Sequence, residues 1–406
     1  MTQEWVTKVI DEIAQFGKRD CGIYREAFSE ADDKARNYII ELMKQVGLKV
    51  RTDEIGNIIG RLEVGDNKAP AVVTGSHLDT VPGGSKYDGV IGVVGGLAAI
   101  LRLKERKVTQ PLELIVFAAE ESSRFMFATM GSKAMIGRSN INSWRKAKDK
   151  NDISFVEVMS SRGLDINNID KAARSKDAIK AFVELHIEQG NTLVSKPAAI
   201  GIVDVVAAPT RLKITVDGLA NYSGTTPMNI RRDALVSASM IVLAIQEIAL
   251  EQSYYGTVAT VGALKVHPGA INVIPGQVEM WVDIRGVNHS SIIECLQEIK
   301  DAVSTVAEGQ DTSMSIEMLS SEKPVEMDKE VAKIIENVCD SKGLSYVQMN
   351  SGAGHDAMNM AFLAPTGMIF IPSYNDISHC ADEYATPNDI ETGIQVLTET
   401  LFQLAK

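Results

Sequence analysis

The chain has 406 residues, enough for about two domains of ordinary size, and its apolar fraction of 45% is normal for a globular α/β protein. The formal net charge of −12 argues against nucleic acid or an anionic membrane as a partner, so an anionic substrate needs a local cation. The N-terminal segment carries acids at helical spacing, unlike a signal peptide, and the longest apolar run, 89–101, is shorter than the roughly 20 residues of a membrane span. Four cysteines without paired spacing fit free thiols, and we expect a cytoplasmic protein.

The first half of the chain alternates helical and strand patterns. Apolar periodicity predicts helices over 4–17, 30–47 and 90–104, and strands over 48–62 (with a turn), 112–119 and 181–187. Another apolar run, 71–74, leads into a glycine-rich segment, and the polar stretch 132–180 indicates a helical excursion. Buried strands that alternate with helices predict a mostly parallel sheet that is covered on both faces.

The pattern changes near residue 209. The segments that follow predict the order β-α-β-β-α-β, with a strand at 211–216, a helix at 232–251, strands at 256–266 and 278–285, a helix at 290–307 and a strand at 313–318. This order is that of the split βαβ sandwich. We therefore expect an inserted domain over 210–322. Residues 1–209 and 323–406 form the other domain, completed by a helix at 328–342, a strand at 367–371 and a helix at 387–405.

The segment 75–89, GSHLDTVPGGSKYDG, brings a histidine and two acids to the end of a buried strand. His77 offers an imidazole, and we expect Asp79 to accept the other ring N–H and so fix the tautomer of a metal-bound ring. Asp88 follows a Pro-Gly-Gly turn that can fold it back towards His77, where two carboxylate oxygens can bridge two cations. Taken alone, the pair His77 and Asp79 fits a surface histidine near an acid equally well.

Further acids and histidines follow later strands. Glu120 and Glu121 end the strand 112–119, where buried acids are costly unless they serve a cation or a proton. The alternating segment 181–187 places His186 on a polar face between acids. His355 lies in a glycine-rich loop, and His379 follows the strand 367–371, with Glu383 four residues on. The chain has only six histidines, and four of them lie beside acids in such positions, which favours a metal site over scattered polar residues.

These segments, in this order, resemble the M20 family of metallo-amidohydrolases, and more narrowly its branch of N-carbamoyl-L-amino acid hydrolases, β-ureidopropionases and allantoate amidohydrolases. The resemblance covers essentially the whole chain and is carried by GSHLDTV, YDG, EESSRF, ELHIEQG, GTTPMNIRRDA, INVIPG, SGAGHDA and MIFIPSYNDISH. It implies an α/β fold: a zinc-peptidase-like catalytic domain with a mostly parallel sheet, and an inserted ferredoxin-like α+β domain that serves as lid and dimerisation domain.

The resemblance also implies roles for individual residues. It assigns the metal ligands to His77 and His186 for one ion, to Glu121 and His379 for the other, and to Asp88 as the bridge. It assigns Glu120 as the general base and Asp79 as the partner of His77. It assigns Arg231 and Asn272 to the substrate carboxylate, and Gln189 and His355 to the group that is cleaved. The cofactor would be two divalent ions, and the ligand types do not choose among Zn²⁺, Mn²⁺, Co²⁺ and Ni²⁺.

The sequence departs from the family at the position of the lid histidine that would stabilise the oxyanion, which is Tyr222 here. Tyr222 could replace that histidine, the substrate could differ, or turnover could be weak. Ser122 and the segment 207–209 also depart from the usual pattern. We expect a cytoplasmic, homodimeric amidohydrolase that removes a carbamoyl or ureido group from a small carboxylate substrate. The alternatives are an M20 aminoacylase or dipeptidase that acts on a linear amide, and a ligand-binding relative with low turnover.

Overall fold

The computed structural model describes residues 1–375 and 377–406, and the chain forms two compact units. The first unit consists of Met1–Asp204, Glu326–Met349 and His355–Lys406, and the second of Val205–Val325 with Asn350–Gly354. The boundaries expected from the sequence, 210 and 322, fall inside the second unit close to its ends.

The described residues contain the following strands and helices. The strands are β1 Lys18–Arg19, β2 Gly22–Ile23, β3 Lys49–Thr52, β4 Ile58–Leu62, β5 Ala71–His77, β6 Leu112–Phe117, β7 Ile179–Ile187, β8 Ile200–Val206, β9 Ala208–Asp217, β10 Asn221–Tyr222, β11 Val258–His267, β12 Val273–Ile274, β13 Gln277–Gly286, β14 Ser313–Ser321, β15 Val325–Glu326, β16 Tyr346–Ser351 and β17 Thr366–Ile371. The helices are α1 Gln3–Ala14, α2 Glu30–Gln45, α3 Val90–Leu103, α4 Met130–Met135, α5 Ile141–Trp144, α6 Phe155–Ser160, α7 Thr192–Ser195, α8 Ala234–Gln252, α9 His289–Gln310, α10 Lys329–Lys342, α11 Asp356–Met360 and α12 Pro387–Leu404.

The first unit is built on one large sheet with the strand order β15-β8-β17-β7-β5-β6-β4-β3, and β16 pairs with β8. The central strands β17, β7, β5 and β6 are parallel, whereas β8, β4 and β3 pair antiparallel on the two sides. Every residue of β5, β6 and β17 is buried, as expected where helices cover both faces of a parallel sheet. The expected mostly parallel sheet is therefore confirmed for its centre.

Helix α3 lies close to this sheet because it presents a glycine, rather than a larger side chain, to the strands. A Cβ atom added to Gly92 would lie 2.5 Å from the carbonyl oxygen of Leu185 in β7, a distance that no side chain tolerates. The apolar face of α3 and the buried faces of α1 and α12 belong to one core that includes Leu97, Leu185 and Leu397. This packing fixes the start of α3 at the carboxyl ends of β5 and β7.

The second unit has the order β9-α8-β11-β13-α9-β14, and its sheet has the antiparallel strand order β11-β13-β9-β14. Alternate residues of β9 and β13 pack against α8 and α9 in a separate core. The expected β-α-β-β-α-β order of the split βαβ sandwich is confirmed. The segment Ala234–Tyr255, which begins with α8, matches a membrane span in length and composition, but Ala238, Ile241 and Ile245 at helical spacing pack on the sheet.

The expected helical character of 132–180 is confirmed, in the form of the short helices α4 to α6 and 3₁₀ turns at Ile166–Ala172 and Lys176–Ala178. Other elements differ from the expectation. Strands β8 and β16 were not expected. Strand β9 begins at Ala208, before Pro209, because a proline is accepted near the start of a strand.

Candidate metal centre

The first group of site residues lies where β5 ends and α3 begins. His77 is the last residue of β5, and Asp88 precedes Gly89, which caps α3 with a positive φ of 66°. A Cβ atom on residue 89 would lie 2.5 Å from the Nε2 atom of His77. Only glycine therefore allows the turn to bring Asp88 against this ring.

His186 reaches the same place from β7, which pairs in parallel with β5. The Nδ1 atoms of His77 and His186 each lie 2.9 Å from a main-chain carbonyl oxygen, that of Asp79 and that of Ile187, respectively. A carbonyl only accepts hydrogen bonds, so each Nδ1 carries a proton, and Nε2 is the ring nitrogen that can bind an ion when it is deprotonated.

The two carboxylate oxygens of Asp88 face different histidines. The Nε2 atoms of His186 and His77 lie 3.2 and 3.7 Å from Oδ1, whereas the Nε2 atom of His379 lies 3.6 Å from Oδ2. Glu121 completes the second group, because its Oε1 atom lies 3.9 Å from the same nitrogen of His379. Ligands about 2.0–2.2 Å from a tetrahedral ion lie about 3.3–3.6 Å apart, so both groups fit a divalent cation.

The charges in this cluster depend strongly on one another. Burial would raise the pKa of Asp88, but the hydrogen bond and charge of His186, with the charges of His77 and His379, hold this pKa below its usual range. Burial lowers the pKa of His77. For His186, burial acts in the same direction, but the hydrogen bond and charge of Asp88 outweigh it and raise the pKa to about 9. These contacts favour the ionised form of Asp88.

Glu120 and Asp79 lie beside these ligands. Burial, followed by the charge of Glu121, raises the pKa of Glu120 well above its ordinary value, and its Oε2 atom lies 3.9 Å from the Nε2 atom of His77. The expected bond between the Asp79 carboxylate and the His77 ring is not formed: that separation is 3.8 Å. The carboxylate instead accepts the backbone N–H groups of Glu120 and Glu121, at 3.3 and 3.0 Å, because these end the neighbouring strand. Burial raises the pKa of Asp79 to about 6.

Gln189 and His355 also lie in this region. The amide of Gln189 donates to Oδ2 of Asp88 at 3.2 Å, and its Oε1 atom is buried without a hydrogen-bond partner among the described residues. The ring of His355 packs against that of His186, with ring centres 4.5 Å apart. Burial lowers the pKa of His355 well below its ordinary value, so this ring is neutral.

Tyr222, Arg231 and Asn272 lie in the second unit, where they share one corner. Strands β10 and β12 pair so that Tyr222 faces Val273, next to Asn272. The guanidinium of Arg231 donates to the carbonyl oxygens of Ser223 at 2.6 Å and of Thr226 at 2.9 and 3.1 Å. This anchoring of Arg231 was not expected, and it holds the guanidinium at the turn that follows Tyr222.

Two buried charged residues support the site. Arg25 was not predicted from the sequence, and Glu184 was not given a function. The guanidinium of Arg25, which is fully buried, donates to the carbonyl oxygen of Leu78 at 2.6 Å and supports the chain between His77 and Asp79. No periodicity marks this arginine in the sequence. Glu184 accepts from the hydroxyl of Ser76 at 2.7 Å and from the backbone N–H of Ala357 at 2.8 Å. The sequence indicated Glu184 only as one of the polar residues on one face of this strand.

The model of the peptidase family M20/M25/M40 matches residues 73–403. This chain belongs to that family. It is 42% identical to an uncharacterized hydrolase of Haemophilus influenzae over 99% of this chain and 98% of the relative. It is 36% identical to a ureidoglycolate hydrolase of Oryza sativa subsp. japonica, over 98% and 83% of the two chains, and 36% identical to an N-carbamoyl-L-amino acid amidohydrolase of Geobacillus stearothermophilus, over 97% of each.

Similar solved structures support the same family assignment. The crystal structure of AtUAH in complex with (S)-hydroxyglycine has a TM-score of 0.91 and 34% identity, over 99% of this chain and 97% of that one. The protein is therefore a hydrolase of the M20 family with the α/β fold of that family, and its candidate ligand groups fit the metal dependence of such enzymes.

Proposed function

We propose that this protein is a metal-dependent amidohydrolase that cleaves the carbamoyl or ureido C–N bond of a small carboxylate substrate. The observation that carries the proposal is the position of Asp88, whose two oxygens each face a separate group of ligand atoms. One cation would be held by His77 and His186, and the other by Glu121 and His379, with Asp88 shared. When bound, such cations supply a Lewis acid for the carbonyl group and acidify the attacking water.

Glu120 is suited to move the proton. It lies beside the ligands, and burial together with the charge of Glu121 gives its carboxyl an unusually high affinity for a proton. It would take a proton from the attacking water as the C–O bond forms, and deliver it to the leaving nitrogen as the C–N bond breaks. Asp79 keeps Glu120 and Glu121 in place through their backbone N–H groups.

The substrate would be a ureido or carbamoyl acid. Two relatives, named for ureidoglycolate and for N-carbamoyl-L-amino acids, are each 36% identical, so identity does not choose between them. In an acidic chain, Arg231 is a suitable partner for the substrate carboxylate, with Asn272 beside it. Gln189 offers its unpaired amide oxygen to an N–H group of the ureido moiety. Tyr222 offers a hydroxyl that can donate to the oxyanion.

The location and the assembly belong to the same proposal. We expect a cytoplasmic homodimer that forms through the second unit, where β11 lies at an edge of the sheet and is open to pairing with another strand. Analytical ultracentrifugation checks the dimer: a monomer at micromolar concentration would contradict it.

The experiment that tests the function is an assay of ammonia or amine release from a panel of substrates: ureidoglycolate, allantoate, N-carbamoyl-L-amino acids, N-acetyl amino acids and dipeptides. Each substrate is incubated with Mn²⁺, Zn²⁺, Co²⁺ or a chelator. We expect metal-dependent cleavage of at least one ureido or carbamoyl acid. Cleavage of N-acetyl amino acids or dipeptides alone would instead establish an aminoacylase or dipeptidase.

The variant Glu120→Gln keeps the size of the side chain but cannot accept the proton. We expect it to lower kcat by about 10²–10⁴-fold, the usual contribution of a general base, while metal content is retained. Glu105→Gln changes an exposed acid in the turn that follows α3 and is the matched control. Full activity of Glu120→Gln would remove this residue from the mechanism.

A further inference from the structure

Glu383 is a buried acid that the proposed mechanism does not use. It lies in the loop that follows β17, four residues after His379, and only 2% of it is exposed. A buried carboxylate is costly unless hydrogen bonds satisfy its oxygens. Its partners therefore indicate what it does.

The two oxygens of Glu383 bind hydroxyl groups from two different loops. Oε1 accepts the hydroxyl of Ser378 at 2.6 Å, and Ser378 directly precedes His379. Oε2 accepts the hydroxyl of Ser85, and the Oγ atom of Ser85 in turn accepts the backbone N–H groups of Tyr87 and Asp88 at 3.1 and 3.4 Å. Glu383 thus joins the turn that carries one metal ligand to the loop that carries another.

His379 needs such support more than the other ligands. Its side chain is 51% exposed, against 3% for His77 and 1% for His186, so packing alone does not hold it. Its backbone has a positive φ of 57°, which is uncommon for a residue other than glycine and persists only where the surroundings enforce it. His77 and His186, by contrast, end or lie within buried strands.

Further contacts fix the loop that carries His379 and Glu383. The backbone N–H of Tyr374 donates to the carbonyl oxygen of Tyr384 at 2.8 Å, and the ring of Tyr384 packs against Tyr87, with ring centres 5.9 Å apart. These contacts close the base of the loop, and the hydrogen bond between Ser378 and Glu383 holds the residue that precedes His379.

We propose that Glu383 is a positioning residue that holds His379 against Asp88 and Glu121, and so sets the affinity of the second metal position without touching the substrate. This inference rests on the proposed two-metal function. It predicts an unequal effect: the position formed by His379, Glu121 and Asp88 depends on Glu383, whereas the position formed by His77, His186 and Asp88 depends on it much less.

The test is a titration of the metal-free full-length protein with Co²⁺ alone. Binding is measured by calorimetry and by the visible absorption of the bound ion. The wild type should bind two ions. Glu383→Ala should bind one ion as the wild type does and the second about 10–100-fold more weakly, the usual effect of losing an outer hydrogen-bond partner of a ligand. The ion that Glu383→Ala binds more weakly should be the one that His379→Ala loses, and not the one that His186→Ala loses.

Three further measurements separate positioning from a general loss of structure. Ser378→Ala removes one hydroxyl and should weaken the same ion, and the double variant with Glu383→Ala should show less than the sum of the two effects. Asp382→Asn removes a charge from an exposed neighbour in the same loop and should leave both ions unchanged. Excess metal should restore kcat in Glu383→Ala, with only the metal concentration for half-maximal activity raised.

Two results would overturn the inference: both ions bound at wild-type affinity in Glu383→Ala and Ser378→Ala, or both ions weakened equally together with a lower melting temperature of the metal-free protein. Failure of the proposed function is distinguishable, because it would appear in the wild type itself, as binding of fewer than two ions or as no hydrolysis of any ureido or carbamoyl acid.

Discussion

At the scale of single residues, Asp88 belongs to both of the candidate metal positions proposed above. Each of its oxygens serves a different group of ligand atoms, whereas each histidine serves one oxygen only. The hydrogen bond and charge of His186, with the charges of His77 and His379, outweigh burial and hold the pKa of Asp88 below its usual range. A change at Asp88 should therefore have a larger effect on the cluster than a change at any one histidine.

This difference can be measured as metal stoichiometry. We expect Asp88→Ala to lose both ions in equilibrium dialysis, whereas His186→Ala and His379→Ala should each retain one. The reason is that the bridging carboxylate contributes to both positions and each imidazole to one. His289→Ala, at the start of α9 in the second unit, is a control that should keep both ions. Retention of two ions by Asp88→Ala would contradict the bridging role.

Tyr222 allows a test of oxyanion stabilisation. If its hydroxyl donates to the developing oxyanion, Tyr222→Phe should lower kcat by on the order of 10²–10³-fold with little change in KM, because the bond matters only in the transition state. Tyr222→His introduces the residue that the family usually has at this position and should restore part of the rate. Equal kcat values for wild type and Tyr222→Phe would show that the hydroxyl takes no part.

The sequence identified the residues of the cluster better than it identified their contacts. His77, Asp88 and His186 could be found because histidines and acids at strand ends are conspicuous in a chain with few histidines. The partner of the His77 ring could not, because Asp79 offers both a carboxylate and a main-chain carbonyl oxygen, and only the backbone path decides which of them faces the ring. Arg25 lies far away in the sequence and carries no pattern.

At the scale of elements, the site depends on how β5 leads into α3. The helix begins at Gly89 with a positive φ, and the turn before it packs directly on the ring of His77. A side chain at residue 89 would collide with the ring of His77. The same turn presents Asp88 to both groups of ligand atoms.

Gly89→Ala tests this dependence. The new Cβ atom would collide with His77, in addition to a backbone strain on the order of 1–3 kcal/mol from the positive φ. Gly163→Ala is a matched control, because Gly163 has a similar φ of 71° but no atom within 4 Å of an added Cβ. We expect both variants to lose stability in urea titrations, but only Gly89→Ala to lose metal affinity. Equal metal affinity in the two variants would contradict the account of this turn.

The strands of the second unit were easier to predict from the sequence than those of the first unit. In the second unit, strands β9 and β13 alternate buried and exposed residues, and that alternation is visible in the sequence. In the first unit, β8 is a short, mostly apolar run that contains Gly201, and such a run does not distinguish a strand from a segment of buried helix. The stretch after residue 132 folds into short helices and 3₁₀ turns. These short elements pack around Trp144 and Phe155.

At the scale of the whole molecule, the candidate ligands and the buried acids belong to one unit. Asp79, Asp88, Glu120 and Glu121 are all buried within the first unit, and their negative charges repel one another without a cation. The second unit has its own apolar core, formed by α8, α9 and the sheet they cover, and contains none of the candidate ligand groups found among the described residues. Metal ions should therefore stabilise the two units unequally.

Differential scanning calorimetry with and without a chelator measures this inequality. Because ions bind the folded first unit and not the unfolded chain, each ion at about 100 times its Kd adds about 2.7 kcal/mol to the stability of that unit. We expect one transition to move to a higher temperature as Mn²⁺ or Zn²⁺ is added, while a second transition, from the core around α8 and α9, stays in place. In Asp88→Ala neither transition should respond to metal. If both transitions of the wild type moved together, the two units would unfold as one cooperative body, and the metal centre would stabilise the whole chain.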